Sequence, residues 1–354
     1  MQIRRVIRVI RQHLERVSWP SLIVILISHA TITWWMLWFV GEKSLTDPNT
    51  FFYYYVVTTS TVGYGDLSPT SSVGQYIVAI FQIPLGLILF GALLGKVGQS
   101  TGKYLRKEMT GEKSFKDYDN HILIFGWHTN RTRKIIDHIL GDARREERRI
   151  VLCVLDDIEH PLFENTQVDF ARLQSFTDIS ELKRVAIEHA DRVIVDGRDD
   201  DQTFTTALRL STLIKRDSHI SAYFQDETKA ELLQQHGRNI ECGSSKAAEM
   251  LVRSMQDPGS VRVHEELLST LNGATQFSME LPDELPANIT FEKIFIFLKR
   301  NYNVIIVGIA SDRMGHEMKI NPPGNEPVTA GVYIHYISSY RLLSQDVDWQ
   351  KMDK

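Results

Sequence analysis

Residues 61–66 read TVGYGD, and this short stretch lies between two long apolar segments. The first segment, 21–40 (SLIVILISHATITWWMLWFV), carries no formal charge, and the second, 73–97 (VGQYIVAIFQIPLGLILFGALLGKV), carries only Lys96 near its end. At about 1.5 Å per residue, each is long enough to cross a hydrocarbon core of about 30 Å. The sequence therefore predicts two membrane-spanning helices joined by a loop.

The residues flanking the two predicted spans indicate their orientation. Tryptophans gather at both ends of the first span, as amphipathic rings do at the two membrane interfaces. Basic residues precede the first span and follow the second, whereas the intervening segment is mainly acidic. The positive-inside rule then places both termini in the cytoplasm. Residues 1–19 have apolar positions at helical spacing, which predicts an interfacial amphipathic helix, with a solvated cytoplasmic helix as the alternative.

The loop between the spans begins with a helix signal. Asp47 and Pro48 suit the N-cap and first helical positions, so residues 49–60 predict a short, mostly apolar helix. In the TVGYGD stretch that follows, backbone carbonyls could replace the water around a dehydrated cation if they all turn one way. Gly63 and Gly65 tolerate the unusual backbone angles that this requires. Because a single strand cannot surround an ion, this mechanism requires several copies around an axis.

The stretch TTSTVGYGD between two spans resembles the selectivity filter of tetrameric potassium channels and matches the TVGYG pattern without departure. The resemblance implies a homotetramer in lipid, with a filter lined by four copies of the loop. It implies K⁺ as the permeant ion, bound by Thr61, Val62, Gly63 and Tyr64. The complete predicted filter is Thr61, Val62, Gly63, Tyr64, Gly65 and Asp66.

The second span contains residues that allow bending. Pro84 removes a helical hydrogen bond, and Gly86 and Gly91 permit a hinge or a close approach. Gly91 and Gly95 equally suit helix packing through small residues. Gly86 lies near the position where inner helices of the potassium channel family usually bend. We therefore expect a gating hinge at Gly86 and Gly91, centred on Gly86.

After residue 116 the composition becomes that of a soluble domain. Apolar runs at 120–127, 150–155, 192–195 and 220–224 alternate with helical stretches, which predicts a parallel, doubly wound sheet. The whole chain has a net charge of −4, which argues against a nucleic-acid partner. Its two cysteines, Cys153 and Cys242, exclude a disulfide framework or zinc ribbon.

The segment FTDISELKRVAIEHADRVIVD (176–196) resembles the RCK domain, the regulator of potassium conductance. In that family the domains pair and build a gating ring under the pore. The expected fold class is a membrane α-helical pore with a re-entrant loop, joined to a Rossmann-like RCK domain with a smaller α+β C-terminal lobe. The predicted organisation is an interfacial helix at 1–19, a pore domain at 20–100 (spans 21–40 and 73–97, pore helix and filter 48–66), a linker at 101–119, a Rossmann-like lobe at 120–245, a helical crossover at 246–272 and a C-terminal lobe at 273–345.

A ligand cleft is predicted at the carboxyl edge of the Rossmann-like sheet. Gly126 occupies the place of the first phosphate-binding glycine, but His128 and Arg131 replace the second and third, which hinders approach of a pyrophosphate. Asp196 matches one ligand of the site in calcium-gated relatives, whereas the other two positions fall at Tyr223 and Gln225. The regulatory ligand is left open, with an adenine nucleotide or NAD preferred to calcium. The candidate ligand residues are Gly126, His128, Arg131, Asp156, Asp157 and Asp196.

The leading hypothesis is a potassium-selective channel of the cell (inner) membrane, gated by ligand binding to an RCK gating ring. One alternative is a membrane-tethered, nucleotide-sensing regulatory subunit of a potassium transport system, against which the filter stretch argues. A membrane-anchored NAD-dependent enzyme would need a catalytic acid or base beside a competent glycine loop. The sequence offers neither, so we expect no enzymatic activity.

Overall fold

A computed structural model describes residues 18–142, 147–237, 239–271, 273–286 and 289–353. The predicted interfacial helix at 1–19 therefore lies almost entirely outside the described residues. The chain divides into two compact units, and the break between them follows Lys107. We call them the pore unit and the cytoplasmic unit, after the roles expected from the sequence, and describe each by itself.

The pore unit is helical. Ser18 caps α1 (Trp19–Phe39) through its hydroxyl, and Pro20 lies in the first turn. A short α2 (Lys43–Thr46) precedes α3 (Pro48–Thr59), where Asp47 Oδ1 accepts from the Asn49 amide at 2.8 Å. The start of the loop helix was predicted from this pair of residues, and the prediction is confirmed.

The second long helix contains a feature that the sequence analysis did not predict. It begins as α4 (Ser72–Ile77), passes through one π-helical turn (Val78–Gln82) and continues as α5 (Ile83–Met109). Both 19–39 and 72–109 are long and apolar enough to cross a membrane. Only 22% and 17% of their apolar windows are buried within the chain, unlike the core helix of a soluble protein. These faces therefore require lipid or further protein around them.

The cytoplasmic unit begins with a six-stranded parallel sheet in the order β3-β2-β1-β4-β5-β6. Alternate residues of β1 face two separate apolar cores, because helices cover both faces of the sheet. The strands are β1 (Ile122–Phe125), β2 (Ile150–Val154), β3 (Val168–Arg172), β4 (Arg192–Val195), β5 (His219–Phe224) and β6 (Ile240–Ser244). The connecting helices are α6 (Thr129–Gly141), α7 (Ile179–Arg184), α8 (Asp200–Ser211) and α9 (Glu227–His236). The predicted Rossmann-like architecture is confirmed.

Two further helices follow this sheet, α10 (Ala247–Gln256) and α11 (Ser260–Leu268). The predicted helical crossover is therefore broken once, where Gly259 adopts a φ of 98°. The C-terminal lobe packs α12 (Phe291–Tyr302) against an antiparallel sheet in the order β10-β9-β12-β7, and β8 pairs separately with β11. Its strands are β7 (Thr275–Glu280), β8 (Ile289–Thr290), β9 (Ile305–Ala310), β10 (Lys319–Ile320), β11 (Pro327–Val328) and β12 (Tyr333–Ser338).

Candidate functional site

The loop after α3 has an alternating backbone. Thr61, Gly63 and Gly65 have φ values of 66°, 56° and 79°, whereas Val62 and Tyr64 between them have negative φ. Alternation between left- and right-handed conformations turns successive carbonyls toward the same side of an extended chain. Glycine adopts positive φ at little cost, but Thr61 does so at a cost of about 1–3 kcal/mol. The loop is thus shaped to present a row of carbonyl oxygens.

The C-terminal end of α3 holds the start of this loop. The Thr61 amide donates to Thr58 O at 3.1 Å, and the amides of Val62 and Gly63 both donate to Val57 O at 3.1 and 3.2 Å. These hydrogen bonds use helix-end carbonyls that would otherwise lack partners. They also explain how the strained φ of Thr61 is maintained.

The predicted filter is unprotected in a single chain. Residues 61–66 are all exposed. Val62 is 54% exposed and Tyr64 is 72% exposed. Within the described residues, a Cβ added to Gly63 or Gly65 would meet no atom within 4 Å. Exposed apolar side chains of this size indicate a surface that contacts another molecule.

Two carboxylates secure the C-terminal end of the loop, and only one of them, Asp66, belongs to the predicted filter. Asp66 Oδ2 accepts from the Tyr53 hydroxyl at 2.8 Å, which ties the end of the filter to α3. Glu42, only 2% exposed, accepts from the amides of Thr70 and Ser71 at distances from 2.8 to 3.1 Å and also from both hydroxyls. Glu42 thereby fixes the segment between the filter and α4.

A buried polar cluster lies behind α3 and was not predicted. The His29 ring and the Tyr55 hydroxyl share a hydrogen bond of 2.7 Å between α1 and α3. The Tyr54 hydroxyl donates to Gln82 Oε1 at 2.9 Å, and Gln82 closes the π-helical turn. A signal was available, because His29 and Gln82 are polar residues within the two apolar stretches.

The two predicted hinge glycines have different surroundings. At Gly86, a Cβ would come 2.9 Å from Thr59 Cγ2 and 3.5 Å from His29 Cε1. At Gly91, no atom of the part of the chain that the structure describes lies within 4 Å of such a Cβ. In this conformation, Gly86 allows the inner helix α5 to approach the pore helix α3 closely, and α5 continues without a break. A hinge at either position stays a prediction.

In the cytoplasmic unit, the structure brings four of the six predicted ligand residues together at the carboxyl edge of β1 and β4. Gly126 follows β1 with a φ of 110°, and a Cβ there would collide with the carbonyl oxygen of Asp196. The space left by the missing side chain is therefore filled by the backbone of the same chain. Gly126 allows the turn after β1 to cross the end of β4.

Arg131, from α6, occupies the centre of this cleft. Its Nε and Nη2 each donate to the buried Asp196 carboxylate at 2.7 Å, and its guanidinium lies 5.1 Å from the centre of the Tyr223 ring. His128 Nε2 donates to Gly197 O at 2.9 Å and lies 3.6 Å from Asp196 Oδ1. The charge of Asp196 is consequently compensated by an arginine of the same chain.

The two remaining ligand candidates lie apart from this cluster. Asp156 and Asp157 follow β2 and are exposed, and Asp157 forms an ion pair with Arg172 of β3. Within the described ranges, no group of three or more His, Cys, Asp or Glu side chains is arranged to hold a metal ion. A calcium ion at Asp196 would have to displace the Arg131 guanidinium.

Comparison with known proteins identifies the pore unit. Residues 21–103 match a family model described as ion channel. The chain is 26% identical over 239 residues to the calcium-gated potassium channel TvoK of Thermoplasma volcanium, covering 65% of this chain and 66% of that protein. It is 29% identical over 198 residues to the putative potassium channel protein YugO of Bacillus subtilis, covering 55% and 58%. It spans less than two thirds of the length of either relative.

Among solved structures, one described as the GsuK channel bound to NAD aligns with a TM-score of 0.42 and 18% identity, covering 90% of this chain and 56% of that one. The human SLO3 gating ring aligns with a TM-score of 0.44 and 13% identity, covering 62% and 44%. The pore unit is an ion-channel module. Over 55–65% of its length, the chain is similar to proteins named as potassium channels.

Proposed function

We propose that this chain is the subunit of a potassium-selective channel whose tetrameric pore is gated by ligand binding to a cytoplasmic ring. The alternating φ at Thr61, Gly63 and Gly65 carries the proposal, because it directs carbonyl oxygens to one side within a loop between two spans. Irregular backbone at membrane depth is tolerated only where protein buries it or where it lines an aqueous path. The carbonyls of residues 61–64 coordinate K⁺, and the exposed filter side chains pack against neighbouring copies.

The ring forms through pairing of cytoplasmic units. Helices α10 and α11 have no buried residue in the single chain, and they expose large apolar side chains such as Leu251 (73%), Met255 (73%) and Leu268 (78%). These side chains recur on one face of each helix, as in a helix pair that docks on another protein surface. A second copy of the same domain covers this face.

The gating ligand binds in the cleft at the carboxyl edge of β1 and β4. Parallel α/β sheets bind ligands at such a change of strand order. The Arg131–Asp196 pair already supplies a cation to the one buried carboxylate there, which favours an adenine nucleotide or NAD over calcium. The relative TvoK is named a calcium-gated channel, so calcium is the necessary comparison. The protein lies in the cell membrane with both termini in the cytoplasm and has no enzymatic role.

The test is ion flux through purified full-length protein in liposomes. We expect K⁺ flux that greatly exceeds Na⁺ flux under matched gradients and that is absent from protein-free vesicles. NAD⁺, ADP and CaCl₂ are then added separately to the cytoplasmic face. If no selective flux occurs with any of them, the channel assignment is wrong. If K⁺ flux is selective but has the same size with NAD⁺, ADP, CaCl₂ or no ligand, the proposal that ligand binding in this cleft gates the pore is wrong.

A further inference from the structure

The segment that follows the inner helix is firmly attached to the cytoplasmic unit. We call residues 109–118 the strap. It contacts β3, the edge strand of the six-stranded sheet, through one backbone hydrogen bond and through side-chain contacts to Asp169. Met109 O, at the end of α5, accepts from the His160 amide at 2.9 Å, and Gly111 O accepts from the Arg172 amide at 3.0 Å. The predicted linker at 101–119 is therefore divided: its first residues continue α5, and residues from Met109 onward are hydrogen-bonded to the sheet domain.

Gly111 shows how closely the strap approaches the sheet. Its φ is 68°, and an added Cβ would collide with the backbone nitrogen of Arg172 and come 2.9 Å from the Phe170 ring. Only glycine fits both the backbone conformation and the available space. The strap crosses β3 in backbone-to-backbone contact, without room for a side chain between them.

Arg184, at the end of α7, fastens the strap. Its Nη1 donates to Gly111 O at 3.0 Å and to Lys113 O at 2.8 Å. Its Nη2 donates to Arg172 O in β3 and to Glu181 Oε2, the latter at 3.0 Å. One planar guanidinium thus joins the strap, the edge strand and α7.

The strap is held at two further points. The side chain of Phe115 is 1% exposed in the core of the sheet domain, and its amide donates to Arg184 O at 2.8 Å. Asp169, a buried residue of β3, accepts from Lys113 Nζ at 3.3 Å and from the Tyr118 hydroxyl at 2.9 Å. The contacts extend along most of the strap rather than being confined to one end.

We propose that the strap transmits movement of β3 directly to the end of the inner helix. Arg184 is the positioning residue that holds the strap on the sheet domain. A free segment of ten residues would have a root-mean-square length of roughly 17 Å and would absorb displacements of a few ångströms. A segment bonded to β3 cannot absorb them, because its backbone moves with the strand. This inference rests on the proposed gating function and identifies the residues that couple ligand binding to the pore.

The test compares Arg184→Gln with Arg192→Gln in full-length channels in planar bilayers. Arg192 is a matched control, because it is a half-buried arginine of the same sheet domain that pairs with Asp191 and does not contact the strap. NAD⁺, ADP and CaCl₂ serve as the ligand probes. We expect Arg184→Gln to reduce the ligand-induced change in open probability about fivefold or more, the lower end of typical allosteric couplings. Unitary conductance, selectivity and the midpoint of ligand binding stay at wild-type values, which a general loss of folding would not permit.

Two additional measurements guard against a folding defect. Gly111→Ala disturbs the strap without changing Arg184 and is expected to weaken the ligand response in the same way. Hydrogen exchange of full-length wild-type protein should show protected amides across residues 109–118, and Arg184→Gln should lose that protection. A wild-type ligand response in Arg184→Gln, or rapid exchange of the strap in the wild type, overturns the inference. Absence of potassium flux in the wild type would instead refute the proposed function. The exchange measurement would still show whether the strap is held on the sheet domain by Arg184.

Discussion

Replacement of Gly63 by alanine is the sharpest test of the filter assignment. Gly63 has a φ of 56°, and no atom lies within 4 Å of an added Cβ in the single chain, so the cost comes from the backbone conformation. An L-residue in the left-handed region costs about 1–2 kcal/mol. In the proposed tetramer four copies adopt this conformation together, so the conducting filter loses about 4–8 kcal/mol. A difference of about 1.4 kcal/mol changes a population tenfold, so the conducting state becomes rare.

The assay measures K⁺ and Na⁺ flux in liposomes that contain equal amounts of tetramer, verified by size-exclusion chromatography. Gly41→Ala is the matched control, because Gly41 has a φ of 81°, an open Cβ position and a place in the turn after α1 rather than in the filter. We expect the control to cost similar backbone energy per chain and to retain selective flux. If Gly63→Ala conducts K⁺ over Na⁺ as well as the control does, the filter assignment is refuted.

Three other changes test features of the two units. Gly86→Ala should lower tetramer thermal stability by about 1–3 kcal/mol per chain because its Cβ would overlap Thr59, whereas Gly91→Ala should not; equal effects would contradict the packing argument. Glu42→Ala should shorten conducting bursts in single-channel records, because each buried donor left unpaired costs about 1–3 kcal/mol, and Glu42→Gln should be milder. Burial lowers the pKa of His121, so the unfolded chain binds more protons at acidic pH and thermal stability should fall below pH ~6.5. His121→Gln should reduce this fall, and an unchanged pH profile of thermal stability in the variant would contradict the prediction.

The membrane elements could be predicted because their signals are local. The apolar stretches, the Asp47 cap and the glycines at 63 and 65 each report on their own segment, and the structure agrees with them. The π-helical turn at 78–82 could not be predicted, because an apolar stretch has no residue pattern that distinguishes π from α geometry. Its stabilising contact, between Gln82 and Tyr54, joins residues that are far apart in sequence.

The strands that the sequence analysis missed are those at the two edges of the parallel sheet. β3 contains Asp169 and Arg172, and β6 reads IECGS, so neither shows the continuous apolar run of a central strand. In the cleft, the departures from the glycine pattern at His128 and Arg131 were visible in the sequence. Their consequence was not, because the pairing of Arg131 with Asp196 across 65 positions depends on the fold that brings α6 beside β4.

The position of the strap on β3 also has a consequence for solubility. An edge strand presents unpaired amides and carbonyls that invite pairing with another chain, and proteins commonly cover such edges. A recombinant cytoplasmic fragment that begins at Asn120, where the first β-strand pattern starts, would lack residues 109–118. The Arg172 amide on the free edge of β3 would then lose its partner, Gly111 O. We expect such a fragment to aggregate, whereas one that begins at Glu108, the first residue of the compact unit, keeps its edge covered.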